Sequence, residues 1–245
     1  MQRNMTKTAV IVGASSGIGL EVAKLLLADG WHLGVAARRE EPLLELKAKA
    51  PECVEVMTID VTKPDAGERL QDLIQKLGCM DLYFHTSGIG KQNRTLEEDI
   101  ELRTMKTNVL GFTRMIGTAY RYFAKRGTGH IAAITSIAGT KGLGPAPAYS
   151  ASKALQATYM QSLEQQARQR GLNIHFTDIR PGFVDTALLN DSFPYPIVMR
   201  PESVARDIVR SIYKRRHVRV IDYRYRILTF FWRLIPRWIW RRMKL

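Results

Sequence analysis

Two spacings of apolar residues alternate along the chain. Short β-branched runs at Thr8–Val12, His32–Ala37, 54–60, 80–85, 130–135, 173–179 and 218–221 have the length and composition of strands. Between them, apolar positions recur with helical periodicity over 18–28, 42–50, 64–77, two stretches within 95–126, 148–170 and 201–215. Gly30 stands just past the first helical run, where a helix is commonly closed. Strands separated by helices imply right-handed crossovers and a parallel sheet covered on both faces. In such sheets ligands bind beyond the carboxyl ends of the strands, so candidate chemistry is sought there.

Composition adds bounds rather than detail. With 245 residues, the chain suits one α/β domain, and its 45% apolar and 24% charged residues are those of a globular protein. Cys53 and Cys79 are too few for a disulfide framework and lack metal-ligand spacing, so no metal site is expected. The lead MQRNMTK enters a strand without the apolar stretch of a signal peptide, giving the expectation of a cytoplasmic protein. The net charge of +14 is uneven: residues 214–245 hold eleven Lys/Arg and one acid, and so carry +10 of it. The expected organisation is a catalytic domain over 1–222 and a basic, aromatic, amphipathic tail over 223–245.

The first strand runs into Gly13-Ala14-Ser15-Ser16-Gly17-Ile18-Gly19, followed by a helix. Glycines allow a tight turn and close approach of backbone N–H groups to a pyrophosphate, which a helix N-terminus favours electrostatically. In isolation the run could be a structural turn; its place between first strand and first helix reads as a dinucleotide site on a Rossmann-like doubly wound parallel sheet. The second strand ends in Arg38-Arg39. An arginine there accommodates a ribose 2′-phosphate and points to NADP(H), although two solvated arginines would look the same in sequence. Asp60-Val61 closes the third strand, where a carboxylate either meets an adenine amino group or caps a helix.

Tyr149 and Lys153 lie four residues apart at the start of a long helix, hence on one face. A neighbouring cation favours phenolate and brings a tyrosine towards the useful range for acid–base catalysis. The spacing alone also describes a solvated helix face. Here it has company: Ser136 ends a strand where a hydroxyl could hold a substrate oxygen, Asn108 sits in a helix that it disfavours, and Arg180-Pro181-Gly182-Phe183-Val184-Asp185-Thr186 follows another strand.

Together these motifs resemble the short-chain dehydrogenase/reductase family, in its shorter single-domain branch, over residues 8 to about 220. The resemblance implies a tetrad of Asn108, Ser136, Tyr149 and Lys153. Tyr149 would exchange a proton with the carbonyl or alcohol oxygen and Ser136 would orient that oxygen. Lys153 would lower the tyrosine pKa and bind the nicotinamide ribose, and Asn108 would hold a relay water. It further implies cofactor contacts from Gly13, Ser15, Ser16, Gly17, Ile18, Gly19, Arg38, Arg39, Asp60, Val61, Ser87, Gly88, Tyr149, Lys153, Pro181, Gly182, Val184 and Thr186. Two departures stand out. His85-Thr86-Ser87-Gly88 replaces the family's Asn-Asn-Ala-Gly, with His85 read as a structural replacement, and Val12 stands where Thr is common. The family also associates, so a homodimer or homotetramer is expected.

The segment 188–199 covers the substrate in this family. Its Leu188, Leu189, Phe193, Tyr195, Ile197, Val198 and Met199 suggest an apolar substrate, or ordinary packing of a loop. In the tail, a helical projection gathers Arg226, Arg233, Arg237, Arg241 and Lys244 opposite Ile227, Phe231, Ile235, Trp238 and Ile239, with Pro236 kinking or restarting the helix. That pattern fits an interfacial helix on the anionic inner membrane surface. Packing on a subunit, or over the chain's own pocket, also fits. Nucleic acid is disfavoured by the apolar face. The functional expectation is an NADP(H)-dependent oxidoreductase of a lipid-like carbonyl such as a long-chain ketone. The alternatives are a small soluble carbonyl or a non-catalytic cofactor-binding sensor or scaffold.

Overall fold

The computed structural model describes residues 7–189 and 195–244. Seven strands, β1 (Thr8–Val12), β2 (His32–Ala37), β3 (Val54–Thr58), β4 (Leu82–His85), β5 (Thr128–Ile134), β6 (Asn173–Arg180) and β7 (Val218–Val220), form one sheet in the order β3-β2-β1-β4-β5-β6-β7. All its pairings are parallel. The helices are α1 (Gly17–Ala28), α2 (Glu41–Lys49), α3 (Ala66–Leu77), α4 (Glu98–Met105), α5 (Phe112–Arg126), α6 (Pro147–Gln169), α7 (Pro201–Tyr213), α8 (Tyr223–Leu234) and α9 (Arg237–Trp240). The expected single doubly wound α/β sheet is therefore the fold.

Every residue of β1 is buried, as a central strand covered on both faces requires. Neighbours along it serve opposite cores: Ile11 packs with Val22 and Leu26 of α1 and Ile208 of α7, whereas Val10 and Val12 pack with Leu70 of α3 and Phe112 and Phe123 of α5. Strand order reverses beside β1, which pairs with β2 on one side and β4 on the other. The segments following β1, β4, β5 and β6 consequently meet at one edge.

Several boundaries differ from the periodicity for local reasons. The third strand stops at Thr58, since Asp60 Oδ1 accepts from Thr62 N (2.9 Å) and Thr62 Oγ1 (2.8 Å) and turns the chain. The fourth begins at Leu82 because Met80 N donates to the Tyr122 hydroxyl (3.0 Å) outside the ladder. The two helical stretches within 95–126 are α4 and α5, joined by a π-helical turn, Lys106–Gly111, that contains Asn108. Such widened turns are often found where a side chain has a task inside the protein.

The tail breaks at Pro236, as expected, and it packs on the domain. Asp222 (φ +70°) caps α8 through Arg224 N, and Pro236 stops α8 and starts the short α9. The face turned to the domain is Tyr225, Thr229 and Trp232, with Trp240 further on; Tyr225, Thr229 and Trp240 are buried. Tyr225 lies flat over Gly182, where any Cβ would overlap its ring. Its hydroxyl donates to Pro196 O (2.9 Å) and Ile197 O (3.0 Å) and accepts from Phe183 N (3.3 Å). Lys141 Nζ donates to Ile235 O (2.9 Å), and Trp240 Nε1 to Gly142 O (2.7 Å). Most of the projected apolar face, including Ile227, Phe231 and Trp238, is left exposed.

Tyr225→Ala removes a fully buried ring together with its three hydrogen bonds. We expect a loss of about 3–5 kcal/mol in urea unfolding, with rapid proteolysis within the tail. Tyr225→Phe should cost about 1 kcal/mol and leave the tail protected.

Candidate active site

The turn after β1 forms a cradle of bare backbone. Gly13 has φ +97°, which disfavours any side chain, and a Cβ there would lie 2.7 Å from Ser87 N. A Cβ on Gly19 would collide with Gly13 O. The turn is braced by Gly13 N donating to Ala36 O (2.7 Å) and by Thr86 Oγ1 donating to Gly13 O (3.0 Å). With Ser16 and Ile18 opening α1, this space fits a pyrophosphate at a helix N-terminus.

Further groups border the same cradle. Arg39 Nη2 donates to Ser16 Oγ (3.1 Å) and Ser15 Oγ (3.4 Å), which brings its guanidinium onto the turn. Arg38 is exposed beside it and acts on Asp60. Burial pushes the Asp60 carboxyl up, but bonds from Thr62 and the charges of Arg38 and Lys63 outweigh this and hold it below its ordinary value. Val61 O accepts from Arg114 Nη1 (3.0 Å). From the other side, Thr186 approaches Gly17, with its Cγ2 3.1 Å from where a Cβ would stand. Pro181 O accepts from Ile137 N (3.1 Å), and Val184 bridges to Met199, so the Pro181–Thr186 segment crosses the strand ends.

The departures after β4 have a physical account. His85 is fully buried; its Nδ1 accepts from the Tyr83 hydroxyl (2.9 Å) and its Nε2–H donates to Ser87 O (3.1 Å). Burial, with the Lys153 charge, lowers its pKa to about 3, so the ring is neutral at ordinary pH. His85 and Thr86 thus brace the segment bearing Ser87 and Gly88, the part expected of a structural replacement.

Ser136 follows the end of β5 and accepts from Ala138 N (3.1 Å), and its hydroxyl acts on the Tyr149 phenol to hold its pKa down. The start of α6 is fixed by Glu101, whose carboxylate accepts from Ala148 N (3.1 Å) and Asn93 Nδ2 (2.8 Å). Lys153 Nζ lies 5.7 Å from the Tyr149 ring centroid and donates to Ile134 O (3.1 Å) and Gln156 Oε1 (3.0 Å). Burial raises the Tyr149 phenol above its ordinary value; Ser136 opposes this and Tyr195 adds to it. Burial also lowers Lys153 to about 8, against the pull of Asp178. The expected lowering of the tyrosine by the lysine therefore does not hold in this geometry, because desolvation dominates and the ammonium is directed elsewhere.

Asn108 is fully buried and engaged throughout. Its Oδ1 accepts from Ile89 N (2.9 Å), its Nδ2 donates to Ile89 O (2.7 Å) and Ser152 Oγ (3.1 Å), and its main-chain O accepts from Gln156 Nε2 (2.8 Å). The side-chain amide pins the backbone beside the cofactor cradle. Sequence reasoning missed Gln156, although one signal was present. Ser152, Gln156 and Met160 form the inward i, i+4 stripe of α6, and a long amide stands in its middle. It also missed Gln92, whose Nε2 donates to the Tyr195 hydroxyl (3.2 Å) at the cleft mouth, where the Phe183 and Tyr195 ring centroids are 4.5 Å apart. Of the apolar covering segment, Leu188, Ile197 and Val198 are exposed and Met199 is buried; Phe193 lies outside the described residues. Among the described residues no cluster has the composition of a metal site, and no helix is long and apolar enough to cross a membrane.

Residues 7–195 match the family described as short chain dehydrogenase. The chain is 34% identical over 216 residues to an uncharacterised oxidoreductase of Myxococcus xanthus, covering 84% of this chain and 85% of that one. It is 32% identical over 212 residues to an uncharacterised oxidoreductase of Mycobacterium tuberculosis, covering 83% of each. Among solved structures, it resembles an alcohol dehydrogenase of Thermococcus sibiricus complexed with 5-hydroxy-NADP, with a TM-score of 0.76 and 24% identity, over 88% of this chain and 96% of that one. It also resembles actinorhodin polyketide ketoreductase with NADPH, with a TM-score of 0.74 and 26% identity, over 86% and 92%. The chain therefore belongs to the short-chain dehydrogenase/reductase family of oxidoreductases.

The lysine makes stability depend on pH in a defined window. Its folded value near 8 lies below the ordinary 10.5, so between these pH values the unfolded chain binds more protons and stability rises with pH. Urea unfolding of wild type and Lys153→Met at pH 7.5 and 10 should show the wild type gaining roughly 2 kcal/mol relative to the variant across that interval. Parallel curves would contradict a buried ammonium.

Proposed function

We propose that the protein is an NADP(H)-dependent carbonyl reductase, running in reverse as an alcohol dehydrogenase, with Tyr149 as its acid–base residue. The observation that carries this reading is the meeting of Ser136, Tyr149 and Lys153 beyond β5, beside the bare backbone cradle after β1. The nicotinamide, when bound, supplies or accepts the hydride.

The chain's own residues do the rest. Ser136 hydrogen-bonds the substrate oxygen and orients it towards the phenol. Tyr149 gives its proton to that oxygen during reduction and regains one from the cleft, or removes the proton during oxidation. A phenol held above its ordinary pKa by burial is protonated at neutral pH, the form in which it donates during reduction. Lys153, directed by Ile134 O and Gln156, presents its remaining donor to the nicotinamide ribose. Arg39, already turned onto Ser15 and Ser16, pairs with a 2′-phosphate and favours NADPH over NADH. The Asp60 carboxylate faces the adenine end.

The substrate on this reading is apolar or lipid-like, such as a long-chain ketone. Leu188, Ile197 and Val198 beside the cleft support it, as does the exposed tail face of Ile227, Phe230, Phe231, Leu234 and Trp238. Exposed Arg226, Arg233, Arg237, Arg241 and Arg242 flank that face, a pairing suited to an anionic bilayer surface. Exposed Leu102 and Leu110 beside α5 support association into a homodimer or homotetramer.

Tyr149→Phe should reduce NADPH oxidation with a 3-keto sphingoid base in anionic liposomes by roughly 10²–10⁴-fold. The NADPH dissociation constant, read by nucleotide fluorescence, should be unchanged. Retained turnover would remove Tyr149 from the chemistry; tight NADPH binding without turnover of long-chain or small carbonyls would assign a sensing role instead. Arg39→Ala should cut the preference for NADPH over NADH by about tenfold or more. Flotation with phosphatidylglycerol vesicles should be lost in Arg237→Glu/Arg241→Glu/Arg242→Glu and at high salt; equal flotation with neutral vesicles would count against charge-led docking.

A further inference from the structure

The wall of the site behind the lysine is closed by a side-chain amide. Gln156 is fully buried one turn along α6 from Lys153. Its two ends are both committed: Oε1 accepts from Lys153 Nζ at 3.0 Å, and Nε2 donates to the main-chain oxygen of Asn108 at 2.8 Å. Asn108 lies in the π-helical turn between α4 and α5, and its own side chain grips both main-chain groups of Ile89. One continuous set of hydrogen bonds thus runs from Ile134 at the end of β5 through Lys153, Gln156 and Asn108 to the segment after β4.

We propose that Gln156 is a positioning residue of the reaction, tying the Lys153 ammonium to the Asn108 carbonyl so that lysine and asparagine are joined through a side-chain amide. The chemistry of the amide favours this role over simple packing. A buried amide satisfied at both ends is directional: the carbonyl end can only accept, so it selects the ammonium, and the NH2 end can only donate, so it selects a carbonyl. An apolar side chain of the same size would fill the space but leave Lys153 Nζ one acceptor short in a site shielded from water.

The inference rests on Lys153 serving the proposed chemistry, yet its test does not need turnover. The groups acting on the lysine are Tyr149 on its own helix, Asp178 on β6, His85 on β4 and the Ile134 carbonyl on β5. None of them changes in Gln156→Leu or Gln156→Glu. Lysine-labelled, cofactor-free protein is titrated by NMR, with the Lys153 resonance assigned through Lys153→Arg. Removing the acceptor in Gln156→Leu should move the Lys153 midpoint down by about one pH unit, and the carboxylate of Gln156→Glu should move it up by a similar amount. In the assay the pH profile of kcat should shift with the midpoint, with the KM for the carbonyl unchanged. If Gln156→Leu does not fold, Gln156→Glu alone decides. Folded variants whose Lys153 midpoint stays at the wild-type value overturn the proposal and leave Gln156 as packing. If Tyr149→Phe retains turnover while the midpoints move as stated, the tyrosine reading fails and the Gln156 tie stands.

Discussion

An ammonium group taken out of water must be satisfied by fixed acceptors, and in this protein that need organises the ground between the sheet and α6. Lys153 is 4% exposed, and desolvation is the largest influence on its charge. Its acceptors come from two sources, the carbonyl that ends β5 and a glutamine on its own helix. Because the glutamine also holds Asn108, satisfying the lysine fixes the π-helical turn; because Asn108 holds Ile89, it fixes the segment passing Ser87 and Gly88. The ends of β4 and β5, the π-helical turn and α6 are thereby set relative to one cation. A looser arrangement would leave a buried charge or a buried carbonyl without a partner, which costs more than most packing defects.

The second constraint lies on the opposite side of the cleft, where backbone substitutes for side chains. Gly182 is bare because Tyr225 of the tail occupies the space a Cβ would need. That ring then serves as a post for the covering segment, taking Phe183 N and the carbonyls of Pro196 and Ile197. The tail and the segment over the cleft are therefore one mechanical unit. The tail does not simply trail from a finished domain: its seven Lys/Arg are carried on a structure bonded to Lys141, Gly142 and Phe183.

Sequence reasoning reached the fold class and the strand ends at which the candidate residues gather, because period-2 and period-3.6 patterns and glycine placement are local properties. What it could not reach were consequences of tertiary neighbours. The effect of Lys153 on Tyr149 was inferred from spacing on one helix face, but the direction of the ammonium is set by Ile134 and Gln156, which spacing does not reveal. Asn108 was noticed as a misfit in a helix; that the misfit is accommodated by a π-helical turn depends on its grip on Ile89, nineteen residues away. The tail's helical projection sorted residues by face alone, and although packing on the chain itself was one reading, it could not show that Tyr225, Thr229 and Trp232 would face inward and leave Ile227 and Phe231 outside.

That inversion bears on how an apolar substrate would reach the site. A tail whose best-packed face already lies on the domain spends none of its outward aromatic residues on folding, so their burial is available to an external apolar phase. Phe230, Phe231, Leu234 and Trp238 are each more than half exposed, and burying such side chains is worth about 1.5–3 kcal/mol apiece. Each neighbouring arginine adds about 1 kcal/mol at an anionic surface. Docking by that face would set the Tyr225 post, and with it the covering segment, next to the bilayer. A long-chain ketone could then pass from the acyl region to Ser136 and Tyr149 with little of its length exposed to water, while NADP(H) enters from the aqueous side between the ends of β1 and β4. On the proposed reading, the separation of apolar and charged surfaces in the tail is a matter of delivery, and the chemistry remains with residues buried behind it.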